Sequence, residues 1–253
     1  MPVFRSLLIA FSTYSRIPVP QVEWNEENRR WSMCFFPLVG LVLGLLMWGW
    51  LALCGSLKIG AFLRGAVAAL LPLLLTGGIH MDGYMDTIDA LASWQPKEKR
   101  LEILKDSHTG AFAVMGCAGY LLLSAALYAE AGPADGIRLA GVFVLSRALS
   151  ALALVRMKSA RNQGMLDDTA RASGHQAVIL SCAVYAALCL LLWLITGGWI
   201  APFCALGAVL CYLYYQHMAY KQFGGITGDL AGWFLQVTEL VLAAVIVIGG
   251  KLL

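Results

Sequence analysis

The sequence predicts an all-α protein that crosses a membrane several times, and three observations carry the prediction. Hydrophobic residues make up 60% of the 253-residue chain and charged residues 13%, more apolar material than a soluble core requires. The apolar residues gather into runs of about twenty, the length an α-helix needs to cross a hydrocarbon layer of roughly 30 Å. The charges gather between those runs, with the acids clustered in a few connecting segments.

Taken in order, Phe4 to Tyr14 is apolar but too short to span, which predicts an interfacial or re-entrant helix. It is stopped by Arg16-Ile17-Pro18-Val19-Pro20, since proline lacks the amide donor and restrains its predecessor. With an early proline and an arginine in the first ten residues, no cleavable signal peptide is expected. About seven spans follow: Cys34–Gly55, Gly60–Thr76, Ala111–Glu130, Ile137–Arg156, Ala177–Ile195, Ile200–Gln216 and Leu230–Ile248. Gly40 and Gly44 permit close helix contact within or between chains, so a homo-oligomer is compatible with the first span. No repeat or low-complexity tract is visible, and residues 1–253 read as one integral membrane domain.

The polar loops are expected at about 15–33, 77–109, 157–175 and 217–229. They hold most of the lysines and arginines, whereas only Lys58, Arg64, Arg138 and Lys251 fall on the opposite side. By the positive-inside rule those loops, and every polar motif with them, face the cytoplasm of a bacterial inner membrane. The net charge of +3 is too small to imply nucleic acid as a partner. Seven cysteines without a C-x-x-C pair read as small hydrophobes within apolar runs.

The chemistry concentrates in Gly77-Gly78-Ile79-His80-Met81-Asp82-Gly83-Tyr84-Met85-Asp86-Thr87-Ile88-Asp89. Asp82, Asp86 and Asp89 share one helix face directly after an apolar run, where their mutual repulsion calls for a divalent cation. Asp82 and Asp89 lie roughly 10 Å apart along such a helix, too far for one ion to take all three easily. Either two ions share Asp86, or one ion takes two carboxylates and the third acts as a base. Helix starts also favour aspartate, which is the plain structural alternative. His80 is placed to orient or deprotonate a hydroxyl, and Gly83 opens space for a phosphate. A second helix over Lys97 to Asp106 carries Glu98, Glu102 and Asp106 as an acidic stripe, with Asp106 completing the metal shell. Asp106-Ser107-His108-Thr109-Gly110 suits a phosphate-contacting turn.

Gly224-Gly225-Ile226-Thr227-Gly228-Asp229 is a second constellation, able to present backbone N–H groups from Gly225, Thr227 and Gly228 to an anion. Its alternative reading is a loop whose Asp229 caps the next helix. Arg147 and Glu239 sit inside apolar helices, so Arg147 is expected to pair with Glu239 or with a substrate phosphate.

These motifs resemble the cobalamin synthase family, the adenosylcobinamide-GDP ribazoletransferases, along nearly the whole chain. The resemblance rests on Arg16–Pro20, Phe36-Pro37-Leu38-Val39-Gly40, the Gly77–Asp89 run, Lys105-Asp106-Ser107 with Gly110, Ser146-Arg147, and the turn ending in Asp229. In the family the aspartate run often ends Asp-Gly, whereas Ala90 follows Asp89 here. The resemblance implies a transferase that joins α-ribazole, or its 5′-phosphate, to adenosylcobinamide-GDP and releases GMP late in vitamin B12 biosynthesis. It implies Mg²⁺ as cofactor, Lys105 and Ser107 among the substrate-binding residues with Arg147, and Asp229 among the metal ligands with Asp82, Asp86, Asp89 and Asp106. The competing readings are a CDP-alcohol-type phosphotransferase, whose full signature is absent, and a cation or proton transporter, which places its carboxylates nearer the bilayer midplane.

Overall fold

The computed structural model describes residues 2–161 and 164–252, and every regular element among them is an α-helix. In chain order these are α1 (Pro2–Tyr14), α2 (Glu26–Arg29), α3 (Ser32–Ser56), α4 (Ala61–Thr76), α5 (Ile79–Ala92), α6 (Lys97–Ile103), α7 (Ala111–Glu130), α8 (Pro133–Arg156), α9 (Met165–Ala172), α10 (His175–Gly197), α11 (Ile200–Phe223) and α12 (Gly228–Leu252). The chain is thus a multi-pass helical membrane protein, with α3, α7, α8, α10 and α12 each long and apolar enough to cross a bilayer.

The expected count of seven spans is approximate. Each expected span is a helix, but α4 has only 16 residues and reaches a spanning length only together with α5, from which it is bent by 99°. Helix α11 falls outside the apolar set because Tyr214, Tyr215, Gln216, His217 and Lys221 occupy its C-terminal half. The 13-residue α1 is as short as its apolar run predicts and packs on α3, burying Ser6, Ile9 and Ala10.

Helix α8 is the hub, in contact with α3, α10 and α12 and with 72% of its apolar window buried. Gly44 meets α8 so closely that a Cβ there would lie 2.6 Å from the Ala140 Cα, and Gly40 abuts the Phe143 carbonyl in the same way. The two glycines therefore serve a contact within this chain. Cys54, Cys182, Cys189 and Cys204 are buried among apolar neighbours.

At one end of the bundle Lys251 pairs with Glu130, Arg64 donates to the Ala129 carbonyl, and Arg138 bonds the Thr196 carbonyl and Asp135. Helix α5 packs on α12 and α6 packs on α5 and α11, while the segment around Lys158 bridges to Ile226 just before α12. The helix expected over Lys97 to Asp106 ends at Ile103, with Leu104 as its C-cap, so Lys105, Asp106 and Ser107 lie beyond it.

Candidate active site

The site begins at the bend. Gly77 and Gly78 have φ of 67° and 82°, a left-handed pair that ends α4 and turns the chain into α5. Helix α5 consequently runs across the end of the bundle instead of continuing through it, and presents its aspartates beside the start of α12. The crossing is close at two glycines: a Cβ on Gly83 would lie 2.8 Å from the Asp229 Cα, and one on Gly232 would lie 2.9 Å from the His80 carbonyl oxygen. Gly83 was expected to open space for a phosphate. It lines the cavity described below, and its missing side chain also admits the backbone of α12 and brings Asp229 alongside Asp82 and Asp86.

That crowding has an electrostatic signature. Partial burial, then the nearby charges of Asp82, Asp229 and Asp89, push the Asp86 carboxyl up to about 6. Asp89 is differently employed. Its Oδ2 accepts from the Gly110 N–H at 2.6 Å and its Oδ1 from the Ala113 N–H at 2.8 Å, which caps the start of α7 from another helix. Asp106 is exposed and held by its neighbour, accepting from the His108 N–H at 3.0 Å and contacting the His108 Nδ1 at 2.8 Å. Those bonds hold its carboxyl below the usual range. Glu102 pairs with Lys99 on the exposed face of α6. Among the described residues no three His, Cys, Asp or Glu side chains come close enough to hold a metal ion by themselves.

The glycine turn is mostly spent on backbone structure. Gly224 (φ 80°) ends α11, the Gly225 N–H bonds the Ala219 carbonyl, and the Ile226 N–H bonds the Lys158 carbonyl at 2.9 Å. Gly225 also lets the Lys158–Ala160 segment approach, because a Cβ would lie 2.5 Å from the Lys158 carbonyl oxygen. Thr227 caps α12: its Oγ1 accepts from the Leu230 N–H at 3.2 Å and donates to the Asp229 Oδ2 at 3.3 Å. The parallel bridge between Ser159 and Ile226 carries Arg161 to the same place. There its Nη1 lies 3.9 Å from the Asp229 Oδ2 while its Nη2 donates to the Leu101 carbonyl at 2.8 Å.

These elements surround a cavity of about 330 Å³. Its polar lining residues include Asp82, Ser159, Arg161, Thr227 and Asp229, its apolar ones Tyr14, Met33, Phe36, Leu154, Ile226 and Tyr215, and His80 and Gly228 also line it. His80 is 6% exposed and packs against the Tyr14 and Phe36 rings at centroid separations of 6.2 and 5.8 Å. Burial, then the charge of Arg147, lowers its pKa to about 3, so the ring is neutral and a weak base. Arg147 lies behind this wall and pairs with Glu239 at 2.6 Å, with its guanidinium 5.9 Å from the Phe36 ring centre.

The family model described as cobalamin-5-phosphate synthase matches residues 6–247. The chain belongs to this family. Relatives named adenosylcobinamide-GDP ribazoletransferase include one from Lachnoclostridium phytofermentans, 42% identical over 248 residues that cover 98% of this chain and 95% of the relative. Another, from Desulfitobacterium hafniense, is 35% identical over 95% of this chain and 96% of its own length. A third, from Geobacillus thermodenitrificans, is 33% identical over 94% of each. No solved structure matches the chain.

In this cobalamin-5-phosphate synthase family member, the fold brings His80, Asp82, Thr227, Gly228 and Asp229 onto one cavity, with Asp86 one turn along α5 from Asp82. It does not bring Lys105, Asp106 or Ser107 there; all three are exposed. Arg147 and Gly225 stand behind the cavity wall. Sequence reasoning missed Arg161, Tyr14 and Tyr215 as lining residues. Phe36 carried a signal, since it opens the Phe36–Gly40 motif, whereas Arg161 was one positive charge among several in a basic loop.

Proposed function

We propose that this chain is an adenosylcobinamide-GDP ribazoletransferase, which joins a hydroxyl of α-ribazole or of its 5′-phosphate to the corrin-side phosphorus of adenosylcobinamide-GDP. The observation that carries this reading is that two carboxylates, Asp82 and Asp229, and one guanidinium, Arg161, line a single cavity in a chain that matches the family over nearly its full length. The new P–O bond forms as the pyrophosphate P–O bond to the guanylate breaks. GMP leaves with that bonding pair.

Displacement at phosphorus is catalysed mainly by positioning and charge neutralisation. Arg161 faces the phosphates as the fixed cation. His80 is too weak a base to take the hydroxyl proton, which we assign to Asp82, the carboxylate of α5 on the cavity wall. The cofactor we propose is Mg²⁺, held by Asp86 and Asp229 together with substrate phosphate and water, which leaves Asp82 as the base. These residues fit it: they offer hard oxygen donors, the Asp86 carboxyl is raised by partial burial and then by the neighbouring carboxylates, and Mg²⁺ typically uses only one or two carboxylates beside substrate phosphate and water. When bound it neutralises charge on the transferring phosphate and the leaving GMP. Asp89 is left out of this set because the cap of α7 occupies both its oxygens. We further propose that the site faces the cytoplasm of a bacterial inner membrane, on the excess of lysine and arginine in the connecting loops at that end.

The test is an assay of the purified protein in detergent or liposomes with adenosylcobinamide-GDP, α-ribazole and Mg²⁺, followed by mass detection of cobalamin and GMP. Product that disappears with a chelator and returns with Mg²⁺ is the expected result. No cobalamin, together with turnover of a CDP-linked lipid, overturns the proposal in favour of a CDP-alcohol-type transferase.

A further inference from the structure

Helices α8, α10 and α11 enclose a groove of about 290 Å³ that shares no lining residue with the active-site cavity. Leu145, Leu149 and Leu152 of α8 and Leu190 of α10 wall it on one side, and α11 walls it from Ala205 to Leu213. Apart from the Tyr212 hydroxyl, every side chain lining it is a hydrocarbon. The groove opens outward, since Val209 and Leu213 on its rim are both more than half exposed. Leu213 also lines a shallow recess with Gln216, His217, Tyr220 and Lys221. Apolar groove and polar recess therefore form one continuous track along α11.

The charges at the recess end of this track are of one sign. Helices α8, α10 and α11 carry a single acid between them, Asp135, in the first turn of α8 at the far end. Arg156 closes α8 and is near enough to act by its charge on the Tyr212 hydroxyl. Lys158 follows, and its backbone N–H donates to the Tyr220 Oη at 2.9 Å. Arg156, Lys158 and Lys221 are exposed, and among the described residues none of them forms an ion pair. Unpaired cations beside tyrosine hydroxyls at the mouth of a hydrocarbon groove complement an amphiphile with an anionic head.

We infer that this track binds an anionic phospholipid, with one acyl chain in the groove between α8, α10 and α11 and the phosphate among Arg156, Lys158 and Lys221. The length fits. From Ala205 to Lys221 a helix rises roughly 24 Å, and one leaflet with its headgroup layer is about 20–22 Å deep. The sign of the charges selects the head. A zwitterionic lipid brings its own ammonium to the cations, whereas a net negative head neutralises them. A second copy of the chain could also cover an apolar face in a membrane. A two-fold contact through this groove, however, sets one cationic patch against its own copy, which a bound anion relieves and a protein partner of the same sequence does not. A free anion would satisfy the recess and leave the groove empty.

The test is a titration of the full-length wild-type protein, delipidated in a neutral detergent, with phosphatidylglycerol and with phosphatidylcholine of the same acyl chains. Native mass spectrometry reads the bound lipid, and the thermal midpoint reads its effect. Phosphatidylglycerol is expected to be retained where phosphatidylcholine is stripped, and to raise the midpoint more. Glycerol phosphate, which has the head without the chains, is expected to do neither. A cation near an anionic lipid contributes about fivefold in affinity, so Arg156→Gln and Lys221→Gln are each expected to weaken phosphatidylglycerol about fivefold, and to leave phosphatidylcholine unchanged. Ala205→Phe puts a ring into the groove and is expected to abolish retention. Equal retention of the two lipids by the wild type, or a glycerol phosphate effect as large as that of phosphatidylglycerol, overturns the inference whether or not any variant folds. A wild-type dimer that retains no lipid and that Ala205→Phe dissociates gives the groove to a second copy and overturns it as well. None of the substituted residues lines the active-site cavity, so the lipid result stands apart from the outcome of the cobalamin assay.

Discussion

Glu239 on α12 accepts a hydrogen bond from the Arg147 Nη1 on α8 at 2.6 Å, and both side chains are 1% exposed. Ser146 also donates to the same carboxylate oxygen, at 3.1 Å. The pair joins the hub helix to the helix that carries Asp229, directly behind the Phe36 wall. Removing one partner strands a charge away from water, which typically costs about 3–5 kcal/mol, whereas replacing both by apolar groups of similar volume is often neutral. Glu239→Ala is therefore expected to lower the thermal midpoint in detergent sharply. Arg147→Met with Glu239→Leu is expected to recover most of the loss. A double variant no better than the single one shows that the pair does not account for the destabilisation.

The two aspartates at the ends of the α5 run should behave differently. Asp89 bonds two backbone N–H groups of α7, so Asp89→Ala removes a cap worth about 1–2 kcal/mol and is expected to appear first as lost thermal stability. Asp82→Asn and Asp229→Asn keep the shape of the cavity wall and remove its negative charge. They are expected to cut turnover by about two orders of magnitude or more with little change in thermal midpoint. Matched measurements of turnover and unfolding separate the classes, and a stable but inactive Asp89→Asn would return Asp89 to the chemistry.

Gly83 tests the α5–α12 crossing itself. A methyl there would lie 2.7 Å from the Asp229 carbonyl oxygen and 2.8 Å from its Cα, both backbone atoms that cannot swing aside. Forcing such a contact typically costs about 1–3 kcal/mol. Gly83→Ala is thus expected to lower stability by that amount and to reduce turnover further, because the displaced atoms carry Asp229. Gly119, where an added Cβ meets nothing within 4 Å, is the control, and Gly119→Ala is expected to change neither.

Much of this was legible in the chain. Apolar run length located every long helix, whereas the left-handed pair Gly77–Gly78 that turns the chain by 99° into the aspartate helix was not read from the sequence. The penalty on a lone charge among apolar residues called for a partner for Arg147, either Glu239 or a substrate phosphate, and the fold pairs it with Glu239. What could not be read was proximity across the fold. Helical spacing put Asp82, Asp86 and Asp89 on one face, but the partner that uses Asp89 is the start of α7, and no local pattern names it. The hydroxyls of Asp106–Gly110 suited a phosphate, yet α6 ends early and leaves that turn exposed. Arg161 reaches the site only because Gly225 lets the Lys158–Ala160 segment pair with Ile226, a contact between stretches far apart in sequence.

Arg161 is the side chain whose role separates a phosphate-binding cavity from a merely polar one. Its Nη2 is held by the Leu101 carbonyl at 2.8 Å, its Nη1 stands 3.9 Å from Asp229, and its Nε has no partner. The guanidinium is therefore anchored through its Nη2, which leaves the Nη1 beside Asp229 as the donor for a charge-assisted bond to a phosphate. Lysine at this position keeps the charge but loses the fork, and glutamine loses both. A hydrogen bond to a charged group contributes about 1.5–3 kcal/mol, so Arg161→Gln is expected to raise KM for adenosylcobinamide-GDP or lower kcat by about ten- to a hundredfold in all, with Arg161→Lys intermediate. KM for α-ribazole is expected to change little, since Arg161 is assigned to the phosphates of adenosylcobinamide-GDP. Equal loss for both substrates, accompanied by a fall in thermal midpoint, would instead mark Arg161 as a tie between its loop and the end of α6.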